Sequence, residues 1–183
     1  MTLHPSPSGV LVVVDVQMGF ITEYSAPVVP VIADLLDRWQ SAGGASILTR
    51  FVNAPGSTYV RLIGWSELMP GDPSVDLAPE VARFAPAATA VIDKGGYTAL
   101  TPDVLALIAE HGWTDIVIAG MDTDSCVLAT ALTAFEAGLT PWVVTDACAA
   151  HAGPSVHEAA LLVMSRFLGA RQLVTSDQDI ANR

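Results

Sequence analysis

A chain of 183 residues, 51% hydrophobic and 15% charged, has the length of one domain and can bury about 70% of the surface its unfolded form exposes, which excludes a disordered protein. Its formal net charge of −11 opposes binding to phosphate backbones or anionic lipid surfaces, so neither nucleic acid nor membrane is expected as a partner. Two cysteines, Cys126 and Cys148, supply neither a disulfide framework nor a Cys/His zinc cluster. That usage fits a reducing, cytoplasmic setting. The start of the chain lacks the basic region of a signal peptide, and no apolar run approaches the ~20 residues of a spanning helix. We expect a single domain over residues 1–183.

Residues 10–16 form a β-branched, nearly continuous apolar run, the pattern of a strand buried on both faces of a parallel sheet. Helical spacing follows over 28–42 and stops at Gly43-Gly44; a second strand is predicted over 45–51. Residues 53–86 are rich in Pro and Gly, with a short helix over 59–68, and a connection this long is expected to form a lid or a binding wall. A third strand covers 89–93. The helix over 102–110 opens with Thr101 as cap and Pro102 in the first position, and it ends before Gly112. A strand over 115–119, a helix over 125–137, a strand over 141–145, a helix over 155–168 behind Pro154 and a strand over 171–175 complete the series. Strands alternating with helices imply right-handed crossovers, hence an α/β, three-layer α/β/α, Rossmann-like fold with a six-stranded parallel sheet.

In such a sheet ligands bind beyond the carboxyl ends of the strands. Asp15 falls there near the end of the first strand, Lys94 just after the third and Cys126 just beyond the fourth. Asp15 is a carboxylate inside an apolar run and must find a partner or be neutralised. Lys94 is the only lysine beside seven arginines, which points to a task for a compact ammonium that a guanidinium does not perform. Cys126 sits where a strand turns into a helix, and the positive helix end together with Lys94 is expected to favour its thiolate. Taken singly, each also has a structural reading: Asp15 as a loop cap, Lys94 as a surface residue, Cys126 as core filler. Cys148 is read as filler. The four histidines show no close metal-ligand spacing, and Gly43-Gly44 and Gly95-Gly96 match no phosphate-binding loop. Arg50 and Arg61 are candidates for holding a substrate carboxylate, with ion pairs at the surface as their other reading.

The ordered set Asp15-Val-Gln-Met-Gly-Phe20, Asp93-Lys94-Gly-Gly-Tyr97 and Gly120-Met-Asp-Thr-Asp-Ser-Cys126-Val resembles the isochorismatase-like cysteine hydrolases, and the similarity continues through Val144-Thr-Asp-Ala-Cys148 and His157-Glu-Ala-Ala160. The resemblance implies the isochorismatase-like hydrolase fold and a catalytic triad of Asp15 as base, Lys94 as supporting cation and Cys126 as nucleophile. It also implies a cis peptide at Met121-Asp122, with the backbone N–H groups of Asp122 and Cys126 as oxyanion donors. Phe20, Arg50, Arg61, Trp65 and Tyr97 are the substrate-binding candidates. Family nicotinamidases carry Asp-x-His metal ligands after the second strand, where this chain reads Thr49-Arg-Phe-Val-Asn-Ala-Pro55, so no metal and no cofactor is expected. The implied function is hydrolysis of a small amide, ureido or carbamoyl substrate through a thioester, by an amidohydrolase that assembles as a homo-oligomer. Two alternatives stay open: a non-covalent vinyl-ether hydrolase and a non-catalytic binding protein on the same fold.

Overall fold

The computed structural model describes residues 4–178, so the two ends of the domain expected over 1–183 lie outside the described residues. Six strands pair in parallel in the order β3-β2-β1-β4-β5-β6. They are β1 (Gly9–Val14), β2 (Ala45–Phe51), β3 (Ala90–Lys94), β4 (Asp115–Met121), β5 (Thr140–Ala149) and β6 (Leu173–Val174). Six α-helices accompany them: α1 (Val29–Ser41), α2 (Thr58–Ile63), α3 (Pro79–Ala82), α4 (Pro102–His111), α5 (Leu128–Glu136) and α6 (Pro154–Phe167). Among the described residues no helix is long and apolar enough to cross a membrane.

Every residue of β1 is buried, because its alternate side chains enter two different cores. Leu11 and Val13 pack with Ile32, Leu35, Leu36 and Trp39 of α1, a stripe at the helical repeat. Val10, Val12 and Val14 pack on the other face with Val104 and Ile108 of α4, Ala131 of α5 and Met164 of α6. Each large apolar side chain buried in this way contributes about 1.5–3 kcal/mol. The α4 ends follow the sequence signals: the Thr101 hydroxyl accepts from the Val104 N–H, and Gly112 closes the helix at φ 69.

Two features position the site. The chain runs outward from β1 to β2 and β3, then returns to place β4 beside β1, which opens a crevice at the carboxyl ends of those two strands. The long segment between β2 and β3 is fastened against the α1 face by Leu68, Val75, Ala78, Val81 and Phe84. Buried amides stitch it down. The Gln17 Nε2 donates to the carbonyls of Phe51 (2.9 Å) and Val75 (2.8 Å), and its Oε1 accepts the Phe51 N–H (2.7 Å). Asn53 Nδ2 donates to the carbonyls of Trp65 and Glu67, holding the stretch that carries Trp65. These contacts place the segment as a wall beside the crevice.

Several boundaries differ from expectation. β1 stops at Val14 because Asp15 takes φ 49 and leaves the strand direction. β5 runs past its polar Thr145 and Asp146 to Ala149: it bulges between Val143 and Cys148 while β4 advances only from Ile118 to Gly120, and pairing then resumes. The helix expected over 59–68 ends at Ile63, since Gly64 caps it at φ 68. A π-helical turn, Thr123–Val127, precedes α5. β6 is reduced to Leu173–Val174.

Gly120 carries the closest approach at the switch point. Its φ is +124, and a Cβ there would lie 2.1 Å from the Val14 carbonyl oxygen and 2.7 Å from the Val14 nitrogen. Both atoms belong to a fully buried strand and have nowhere to go. Gly120→Ala is expected to destabilise the fold by more than about 4 kcal/mol. Gly43→Ala, at φ +79 with nothing within 4 Å, should cost only about 1–2 kcal/mol, and parallel urea titrations compare the two.

Candidate active site

Asp15 turns out of β1 at the crevice. Its backbone N–H donates to the Thr49 carbonyl of the neighbouring strand (3.2 Å), and its Oδ1 accepts the Thr49 hydroxyl (2.7 Å). Its Oδ2 lies 2.6 Å from the Nζ of Lys94, and both side chains are 0% exposed. Lys94, the last residue of β3, reaches past Phe51, whose ring centre is 5.4 Å from Nζ. The ammonium also donates to the carbonyls of Gly96 (2.8 Å) and Tyr97 (2.9 Å) and lies 3.6 Å from the Sγ of Cys126. Lys94 thus bridges carboxylate and thiol.

Cys126 is presented by the turn between β4 and α5. The Met121-Asp122 peptide is cis, and the Asp122 carbonyl accepts the N–H groups of Ser125 (3.2 Å) and Val127 (3.0 Å), which defines the π turn. Thr130 ties this turn to the loop after Lys94: its hydroxyl donates to the Cys126 carbonyl (2.6 Å) and accepts the Ala99 N–H (2.8 Å).

Burial dominates the electrostatics. It pushes the Cys126 thiol up to about 12, the Asp15 charge adds to the rise, and Lys94 opposes it. Lys94 acts in the direction the sequence suggested, toward thiolate, and burial together with the Asp15 charge outweighs it. Burial also raises the Asp15 carboxyl above its ordinary value, with Lys94 and then Thr49 pulling it back. Burial thus favours the protonated form of both Cys126 and Asp15, and Lys94 opposes it at each.

Above the thiol is a cavity of about 220 Å³ with an aromatic wall and a polar wall. Phe20 and Trp65 stack with centroids 6.2 Å apart, and Tyr59 meets Phe51 (4.9 Å) and Tyr97 (5.1 Å) edge to face. The polar wall carries Asp122, Asp124, Ser125 and His151. Of the substrate-binding candidates, Phe20, Trp65 and Tyr97 are brought here. The two arginines are not. Arg50 forms a bidentate pair with Asp93 (2.7 and 2.9 Å) in a separate surface depression beside Asp72 and Asp76. Arg61 is exposed on α2 and does not line the cavity. Fixing α2 by the Ser57 cap and the Asn53 clamp aims Tyr59 and Ile63 inward instead.

Sequence reasoning passed over His151. Its ring Nδ1 lies 2.5 Å from Asp122 Oδ2, and its backbone N–H donates to Asp122 Oδ1 (2.8 Å). The Asp122 bond lifts the imidazole above its ordinary value, against the effect of burial. His157, by contrast, pairs with the Thr123 hydroxyl (2.8 Å) and is lowered by burial. A second groove, lined by Tyr24, Val28 and His157, contains none of Asp15, Lys94 and Cys126. Cys148 lies on its floor, buried, with its thiol also raised to about 12 by burial. Among the described residues no group of three or more His, Cys, Asp or Glu side chains is placed to hold a metal ion.

A sequence model of the isochorismatase domain matches residues 9–178. A search of curated proteins finds no match. Among solved structures, a pyrazinamidase/nicotinamidase from Streptococcus mutans superposes with a TM-score of 0.81 at 22% identity, over 91% of this chain and 100% of that one. An N-carbamoylsarcosine amidase from Thermoplasma acidophilum gives 0.80 at 25% identity, over 93% and 98%. A nicotinamidase from Bacillus subtilis gives 0.80 at 22%, over 91% and 99%.

Proposed function

Because the chain belongs to the isochorismatase family, we propose that it is a cysteine-dependent hydrolase cutting the C–N bond of a small amide, ureido or carbamoyl substrate through a thioester. One observation carries the reading: Lys94 Nζ touches both Asp15 Oδ2 (2.6 Å) and Cys126 Sγ (3.6 Å) at the base of a cavity sized for a small molecule. Two of the similar structures are named as a nicotinamidase and an N-carbamoylsarcosine amidase, both amide-cleaving enzymes.

The substrate carbonyl lies over Cys126. Asp15 takes the thiol proton as sulfur attacks, which removes the cost of forming a buried free thiolate. Lys94 balances the charge left behind. The N–H groups of Asp122 and Cys126 receive the oxyanion. Collapse expels ammonia or an amine, and water then cleaves the thioester. The aromatic wall suits a flat or apolar acyl group, and the cations of the region are already engaged: Lys94 by Asp15, Arg50 by Asp93. The working unit in this reading is a single domain over 1–183, in a cytoplasmic homo-oligomer.

Cys126→Ala tests the proposal. A panel of small neutral amides should lose turnover by at least about a thousandfold, and the acyl adduct seen by intact mass on the wild-type protein should disappear. Full activity without Cys126 would replace the thioester route with a non-covalent one.

A further inference from the structure

Asp15 is poorly placed to serve every proton in this reaction. It is 0% exposed, with one oxygen on the Thr49 hydroxyl and the other on Lys94, and its traffic is with the sulfur. His151 stands on the polar wall of the same cavity.

Resting on the thioester reading above, we propose that His151 is a second proton carrier of this site, giving a proton from Nε2 to the leaving nitrogen and recovering one from the water that attacks the thioester. Asp122 grips the residue twice, at the backbone N–H and at Nδ1, so a carboxylate that only accepts fixes the proton on Nδ1 and turns Nε2 away from itself. No hydrogen bond engages Nε2 among the described residues. The ring packs 5.7 Å from Phe20 and lines the same cavity as Cys126, with 44% of its side chain exposed against 6% for Asp122. A buried carboxylate holding a half-open imidazole in the cavity that a thiol also lines is an arrangement suited to an acid–base relay.

The charges around it favour the acid form. Asp122 touches the ring and Asp124 faces it from the same turn; the groups on the other walls, Cys126, Tyr59 and Tyr97, are neutral when protonated. The raised affinity of the imidazole for its proton agrees with this.

The protons balance. In acylation the S–H proton passes to Asp15 while the C–S bond forms; the C–N bond breaks and imidazolium protonates the nitrogen, leaving neutral His151. In deacylation His151 takes a proton from water as the C–O bond forms, and Asp15 returns its proton to the departing sulfur. Both groups end as they began.

The test compares an amide with an ester whose leaving group needs no proton: benzamide, or the best substrate of the amide panel, against p-nitrophenyl benzoate. In His151→Ala, kcat/KM for the amide should fall about a hundredfold. The nitrophenolate burst should stay near wild type while the acyl-enzyme decays more slowly. The wild-type amide profile should decline as pH rises through the His151 titration; that limb should vanish in His151→Ala and move to lower pH in Asp122→Asn. Equal losses on amide and ester, an unchanged amide rate, or a limb that Asp122→Asn does not move would each overturn the assignment. Failure of the underlying reading looks different: no acyl adduct on Cys126 in wild type or variant.

Discussion

Asp15→Asn should abolish amide hydrolysis and, in the same protein, accelerate alkylation of Cys126. Asparagine keeps the size of the side chain and can still accept from the Thr49 hydroxyl, so the crevice survives. It cannot take the thiol proton, and turnover should drop at least about a thousandfold. The thiol itself responds in the opposite sense. Its proton is held up to about 12 by burial and by the Asp15 charge, with Lys94 as the opposing influence. Removing the carboxylate leaves an ammonium 3.6 Å from the sulfur with its nearest counter-charge gone. The thiolate is then stabilised. Each unit by which the thiol falls raises the thiolate fraction at pH 8 about tenfold, and iodoacetamide reports that fraction, with Cys148→Ser in both proteins to remove the other thiol. Slower alkylation would mean that Asp15 activates the resting sulfur. Retained hydrolysis would remove Asp15 from the proton path.

The sequence carried the scaffold because the scaffold is written in local patterns. The run Val10 to Val14 reads as a strand buried on both faces, and its alternate residues do enter two cores. Thr101 with Pro102, and Gly112, mark α4 within one residue. The gathering of Asp15, Lys94 and Cys126 followed from topology, since parallel strands place their carboxyl ends on one edge. What escaped was decided by tertiary contacts. Asp93 neighbours Lys94 in sequence, yet across the β2–β3 ladder it stands opposite Arg50 and takes that guanidinium away from any substrate. Asp122 and His151 meet where the bulge in β5 absorbs residues between Val143 and Cys148 and keeps the strand end level with the turn after β4. At Cys126 the influence of Lys94 was legible, while the opposing burial is set by tertiary packing.

Lys94→Ala should be the most destabilising of the active-site substitutions, and its cost should depend on pH. The substitution strands the Asp15 carboxylate, 0% exposed, with the Thr49 hydroxyl and the Cys126 thiol as its side-chain partners. Breaking a buried pair from one side typically costs about 3–5 kcal/mol. The Asp15 carboxyl is already raised above 3.8 by burial, and losing the ammonium that pulls it down raises it further. A raised carboxyl costs the fold its full penalty above the folded-state pKa. As pH falls through that value the folded protein binds the proton that the unfolded chain does not yet hold, and the deficit shrinks toward pH 3.8. Urea midpoints should therefore separate wild type and variant widely at pH 8 and less at pH 5. Lys94→Arg should not rescue, because the bulkier guanidinium has no room among Asp15 Oδ2 and the Gly96 and Tyr97 carbonyls, all within 2.9 Å of Nζ. Adding Asp15→Asn to Lys94→Met removes both charges together and should recover most of the stability with none of the activity. A gap between wild type and Lys94→Ala that stays constant from pH 8 to pH 5 would show that Asp15 keeps its charge without Lys94, and the raised carboxyl that makes it the proton acceptor would go with it.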